Sequence, residues 1–431
     1  MPDLTSQFLS KIMDHRLQGL SLGDDQVLPY YDGLSLVNLP STVTRLLGAP
    51  DFGCPPLDAA IIDHLGGPYQ KVVFLLVDAL GYDLFKQAID PENGLIWAKY
   101  FDQGVFSPIT SICPSTTASA LTTLWTGVGA GTHGIIGYEM WSKTFGMVIN
   151  NISHSAANMR SDVGGLSRAG FNPTQFMNRP TLGPHLQAHG IVPTSFTHTS
   201  IARSGLSMMQ KSEVNIQAYV NEAELCVSLV DYLNHRSALK EFIYIYYSDV
   251  DTLMHRYNAD DPRVMLQFAA FSTLFKRGFF DNLSPAVAKK TLLILTADHG
   301  SIATPHHERF DLANHPELVS HLVMQPTCEN RLPFLYIKPG QVEQVRDYFA
   351  RTWPDDFLLV EPAEALEAGL FGQAPFVEGV LDRLGDLLVI TRGDAYLWWS
   401  PRPNPLAGRH GGLHPGEMLV PFFALPLGNL F

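Results

Sequence analysis

The chain reads as an α/β protein with a mostly parallel central sheet, flanked by helices on both faces and carrying a lid or cap excursion. Three observations predict this. Long apolar runs recur at Lys71–Val77, Glu241–Tyr247 and Thr291–Thr296, and runs without polar alternation read as strands buried on both faces. Helix-periodic segments separate them, as an alternating β/α order requires. Each run ends in acids or histidines: Asp78; Asp249 and Asp251 with His255 four residues on; Asp298-His299-Gly300. Ligands bind beyond the carboxyl ends of such strands, so these groups point at one place. Unpaired carboxylates gather there only at a cost, unless a cation neutralises them. A two-metal site follows as the economical reading.

Residues 1–70 are mixed. A short helix is expected within Leu36–Leu47, broken by the Gly/Pro-rich stretch after Gly48, and the segment reads as an N-terminal extension packing on the core. Residues 71–431 are expected to form the main domain that carries the site. Asp78 and Gly81 lead from the first strand into a helix. Pro114 and Ser115 suit a helix start, and Ala118, Leu121, Leu124 and Trp125 give that helix an apolar face. Thr117 falls in the first turn, where unpaired N–H groups and the helix dipole favour negative charge. A Gly-rich loop, Gly127 to Gly134, follows.

Residues 142–185 are polar and read as a lid-like insertion over the site. Tyr138, Trp141, Phe145 and Phe171 are candidates to stack a base or aryl group. A strand is expected at Ile191–Phe196, and helices at 215–238 and 262–283. Runs at 334–337, 358–360 and 386–390 are expected to continue the alternation.

The 431 residues are 46% hydrophobic, enough for a large core, and the net charge of −13 argues against a nucleic acid polymer as partner. Cys54, Cys113, Cys226 and Cys328 match neither a zinc pattern nor a disulfide framework. They read as free thiols in a reducing compartment. The N-terminus lacks an apolar leader, and no run reaches the roughly 18 residues of a membrane span. The expectation is a cytoplasmic protein, compatible with a homo-oligomer.

The ordered motifs resemble the alkaline phosphatase superfamily, and within it the type I phosphodiesterase/nucleotide pyrophosphatase family. They are Asp78-x-x-Gly81, Pro114 to Thr117 through Thr126-Gly127, His133-Gly134, Asp251-x-x-x-His255, Asp298-His299-Gly300 and His410-Gly411-Gly412. The resemblance implies that Asp78, Thr117, Asp298 and His299 bind one divalent metal ion, and Asp251, His255 and His410 the other. Zinc is the first expectation, manganese the second. It selects Thr117 over Thr116 as nucleophile, Asp251 over Asp249, and His410 over His414. His133 supports its loop, and His306 and His307 read as surface residues. The substrate class implied is a small phosphodiester, pyrophosphate or nucleotide. One departure is Ala120, where the pattern expects an Asn on the phosphate, three residues past the nucleophile. With no clear anion-clamping arginine (Arg160, Arg203 and Arg256 are the candidates), this leaves open a phosphomonoesterase, phosphonate hydrolase or phosphotransferase. A non-catalytic metal-binding regulatory domain is the alternative outside enzymes.

Overall fold

The computed structural model describes residues 2–159, 161–236 and 238–430. The central sheet has seven strands: β1 Lys71–Val77, β2 Val105–Thr110, β3 Val192–His198, β4 Asn215–Tyr219, β5 Glu241–Tyr247, β6 Thr291–Thr296 and β7 Leu419–Pro426. Their spatial order is β2-β7-β6-β1-β5-β3-β4. All neighbours are parallel except at β7, which runs against both β2 and β6. Every residue of β1, β5 and β6 is buried, as expected for strands covered on both faces.

Register sets up the site. Leu76 on β1 pairs with Thr296 on β6, so Asp78 and Asp298, each two residues on, leave the sheet side by side. Val77 pairs with Tyr247 on β5, which then enters the helix α2, Asp249–Tyr257, carrying Asp251 and His255. Helix α1, Thr117–Thr126, delivers the threonine.

Several expectations are corrected. Residues 215–219, expected to be helical, form the edge strand β4, and the helix spans Glu222–His235. β2 escaped notice because Pro108 interrupts it; proline is tolerated at a sheet edge, where one row of N–H groups has no ladder to join. The chain's N-terminal region covers that edge, with Leu4 N–H donating to Phe106 at 2.8 Å and Thr110 N–H to Leu34 at 2.8 Å. The runs at 332–335, 357–360 and 387–391 do not extend the parallel sheet. They belong to a second sheet of seven strands, antiparallel throughout, which also takes in 139–142, 147–150, 155–156 and 327–329. The 142–185 segment therefore contributes strands and short helices to this sheet and its surroundings.

Candidate active site

Three imidazoles share one arrangement. The Nδ1 of His255 lies 3.0 Å from the Gly408 carbonyl, that of His299 2.9 Å from Gly300, and that of His410 3.1 Å from Ser115. A carbonyl only accepts, so each Nδ1 carries the proton and each Nε2 is left with a lone pair. Those lone pairs converge. His255 and His410 Nε2 are 3.2 Å apart, and they stand 3.4 and 3.8 Å from Asp251 Oδ1. His299 Nε2 lies 3.5 Å from Asp78 Oδ1, 3.6 Å from Asp298 Oδ2 and 3.2 Å from the Thr117 hydroxyl. The His299 and His410 rings stack at 3.7 Å.

The carboxylates complete the pattern. Asp78 Oδ1, Asp251 Oδ1 and Asp298 Oδ2 are buried and have no hydrogen-bond partner. Tyr246 donates to the other oxygen of Asp78, and the Ala79 N–H to the other oxygen of Asp298. Burial, reinforced by Asp298 and Asp251, pushes the Asp78 carboxyl well above its usual range, and burial raises Asp298 as well. Burial, then His299 and His255, hold His410 well below an ordinary histidine. Lone pairs facing lone pairs, beside orphaned carboxylate oxygens, fit divalent cations as the missing partners. Two groups of donor atoms each lie within 4.8 Å of one another: Asp78, Asp298 and His299; Asp251, His299 and His410.

Glycines let these loops meet. A Cβ on Gly300 would stand 2.1 Å from the Gly416 carbonyl and 3.1 Å from Gly81 Cα. A Cβ on Gly412 would meet the Glu417 carboxylate at 2.9 Å. Buried Glu417 accepts from the Gly412 N–H at 3.0 Å and pairs with buried Arg331 at 2.8 Å, tying down the loop that carries His410.

The other candidates have other partners. Thr116 donates to Glu329 at 2.6 Å. His414 accepts the Gly416 N–H at 3.0 Å as a helix cap. His306 pairs with Asp311 at 3.2 Å, and His307 caps a short helix; both are exposed. His133 is buried, accepts the Ile135 N–H, and is held down to about 3 by burial. Asp249 is absent from both donor groups, and so is His255, whose Nε2 joins the cluster through His410 at 3.2 Å and Asp251 Oδ1 at 3.4 Å. Arg203 and Arg256 are exposed and do not line the site cavity, and Arg160 lies outside the described residues. Ala120 is fully buried in the main core and does not line the site cavity.

A cavity of about 330 Å³ opens above Thr117, Asp251, His255 and His410. Its walls include Tyr138, Glu329, Asn330, Trp398 and Trp399. Of the aromatics singled out in the sequence, only Tyr138 lines it; Phe145 and Phe171 pack against each other, ring centroids 5.9 Å apart. Glu329, Asn330 and the two tryptophans follow no strand-end motif, and no sequence signal marked them.

Residues 72–413 match the family model for type I phosphodiesterase / nucleotide pyrophosphatase. No curated protein matches the chain by sequence. Among solved structures, murine ectonucleotide pyrophosphatase / phosphodiesterase 5 is similar at 16% identity and TM-score 0.61, over 82% of this chain and 88% of that one. An inactive variant of the same murine protein in complex with AMP aligns equally, at 16% and 0.61, over 83% and 88%. Phosphonoacetate hydrolase from Sinorhizobium meliloti 1021, in complex with phosphonoformate, is similar at 15% and 0.57, over 82% and 89%. At these identities the solved structures speak for the fold. The match over residues 72–413 speaks for descent: the chain is a phosphoric-ester hydrolase of the alkaline phosphatase superfamily and belongs to the type I phosphodiesterase / nucleotide pyrophosphatase family.

Proposed function

We propose that the chain hydrolyses phosphodiester or pyrophosphate bonds of small molecules, with Thr117 as nucleophile. Asp78, Thr117, Asp298 and His299 would hold one divalent ion, and Asp251, His255 and His410 the other. The observation that carries this is the gathering of three imidazole lone pairs and three orphaned carboxylate oxygens, with the Thr117 hydroxyl 3.2 Å from His299 Nε2. Mixed oxygen and imidazole donors suit zinc first, then manganese. Two such ions would supply Lewis-acid activation of the threonine oxygen and neutralise charge on the leaving oxygen.

The chain's own groups do the rest. Thr117 opens α1, where N–H groups without helical partners favour a phosphoryl oxygen. Its Oγ1 gives up its proton and bonds to phosphorus as the bond to the leaving oxygen breaks; that oxygen departs protonated, and the phosphate stays esterified to Thr117 while keeping its second substituent. Water then cleaves that ester and restores the hydroxyl. The cavity walled by Tyr138, Trp398 and Trp399 has room for the second substituent of a diester or for a nucleotide. That room favours a diester over a small phosphonate.

The test is paired hydrolysis of bis-p-nitrophenyl phosphate and p-nitrophenyl phosphate by metal-reconstituted protein, with a chelator control and Thr117→Ala. Chelator-sensitive, Thr117-dependent diester cleavage supports the proposal. Preference for the monoester, or full activity in Thr117→Ala, overturns it.

A further inference from the structure

Thr116 occupies the N-cap position of α1, with extended backbone at φ −138° and ψ 146°, yet its side chain makes no capping hydrogen bond. A threonine there ordinarily turns its oxygen onto the second or third N–H of the helix. This one donates instead to Glu329 Oε1 at 2.6 Å. The same oxygen accepts the Tyr138 N–H at 3.1 Å.

Glu329 is held in place from two sides. The preceding Cys328 sits at φ 73°, a left-handed conformation that a non-glycine residue keeps only where its surroundings impose it. Across from it, Gly411 at φ 110° comes so close that a Cβ there would stand 2.5 Å from Glu329 Cβ. Glu329 therefore bridges the loop after His410 and the start of α1. Burial raises its carboxyl to about 8, and Oε1 accepts from both the Thr116 hydroxyl and the Tyr138 N–H.

Capping and anion binding compete for the same first-turn N–H groups. We propose that Glu329 is a positioning residue that holds the Thr116 hydroxyl off the N-terminus of α1, leaving those N–H groups open to the phosphoryl oxygens of the substrate. The inference rests on the reading of Thr117 as nucleophile. Glu329 itself transfers no proton and touches no reacting atom; it acts by keeping a competitor away.

The experiment compares four variants of the metal-reconstituted protein on bis-p-nitrophenyl phosphate. Glu329→Gln keeps the accepting oxygen and should stay within about threefold of wild type in kcat/KM. Glu329→Met removes the acceptor and frees Thr116 to cap, and should lose about tenfold, the worth of a strong cap. Adding Thr116→Val to Glu329→Met should return activity to the level of Thr116→Val alone. A direct acid or charge role for Glu329 would leave the double variant as impaired as Glu329→Met, and that result overturns the proposal. A crystal structure of Glu329→Met gives a readout independent of turnover: Thr116 Oγ1 should lie within hydrogen-bond distance of the Ser119 N–H. A hydroxyl still turned away overturns the proposal even if the wild-type protein cleaves no diester, an outcome that would refute the proposed function separately.

Discussion

At the residue scale, Thr117 and His255 separate chemistry from assembly. Thr117→Ala removes the attacking oxygen and leaves six of the seven proposed ligands. It should lower kcat/KM at least about 1,000-fold while zinc content, measured by elemental analysis, stays near that of wild type. His255→Ala removes a lone pair from the pair shared with His410 and should weaken zinc binding by about 100-fold or more; unchanged zinc content would remove His255 from the ligand set. Lys211 is a different case. It is buried, donates to Thr197 at 3.0 Å, and burial lowers it from 10.5 to about 7. Between those values the unfolded chain binds the extra proton. Stability should therefore rise with pH across the window from about 7 to 10.5, and the full burial penalty stands below pH 7. Lys211→Met should raise Tm by roughly 2–4 °C at pH 7, with the gain shrinking toward pH 10. A gain that does not depend on pH would show that packing, not charge, is at stake.

At the scale of elements, the site depends on loops approaching more closely than side chains allow. Gly81, Gly300 and Gly416 meet backbone to backbone, on the segments that follow Asp78 and Asp298 and in the helix after His414. The glycine after Asp298-His299 is thus a packing requirement between backbones. Gly300→Ala would place a Cβ 2.1 Å from the Gly416 carbonyl. It should cost roughly 2–4 kcal/mol of stability and lower zinc occupancy in proportion, as measured by thermal unfolding and metal analysis on the same sample. A fully stable, fully loaded Gly300→Ala would show that the loops have slack. Arg331 and Glu417 do the same work with charge. Both are wholly buried, and the pair holds the Gly412 N–H, so Arg331 contributes order to a site it never touches.

At the scale of the whole molecule, the two sheets divide the labour. The central sheet delivers Asp78, Asp298 and His299 directly, and Asp251 and His255 through α2. The second sheet supplies walls of the cavity, with Tyr138 and Glu139 at the start of one strand and Glu329 at the end of another. The cluster gathers carboxylates that are buried and partly orphaned, so cations that bind the folded chain should stabilise all of it. Chelation should lower Tm by several degrees, recovered on adding zinc, since saturating a site about 1,000-fold over Kd contributes about 4 kcal/mol. Burial raises Asp78 and Asp298, and a cation would have to displace any proton they hold, so loading should release protons increasingly as pH falls. Zinc affinity should therefore weaken as pH falls from 7.5 to 5.5 in a calorimetric titration. A Tm indifferent to chelator would mean that the acids are neutralised another way.

The long apolar runs of β1, β5 and β6 and the polar groups at their ends were readable in the sequence, because interior strands buried on both faces tolerate nothing else. The closeness of Asp78, Asp298 and His299 follows from the same strands, whereas the full proposed ligand set, His410 included, rested on the family resemblance. Both edge strands, β2 and β4, went unread, since an edge strand has one neighbour, admits Pro108, and in β4 is mostly exposed. The antiparallel second sheet was hidden as well: its short strands carry no directional signal, and only pairing shows that 327–329 lies beside 139–142. By itself the sequence determined the parallel core and the acids and histidines that the core aims at one point. Only the tertiary structure decided which hydroxyl of the Thr116–Thr117 pair faces His299, that Ala120 is core, and that Glu329 and the tryptophans wall the cavity. Those contacts join residues far apart in the sequence, as Thr116 with Glu329 and Thr117 with His299, and no local pattern encodes them.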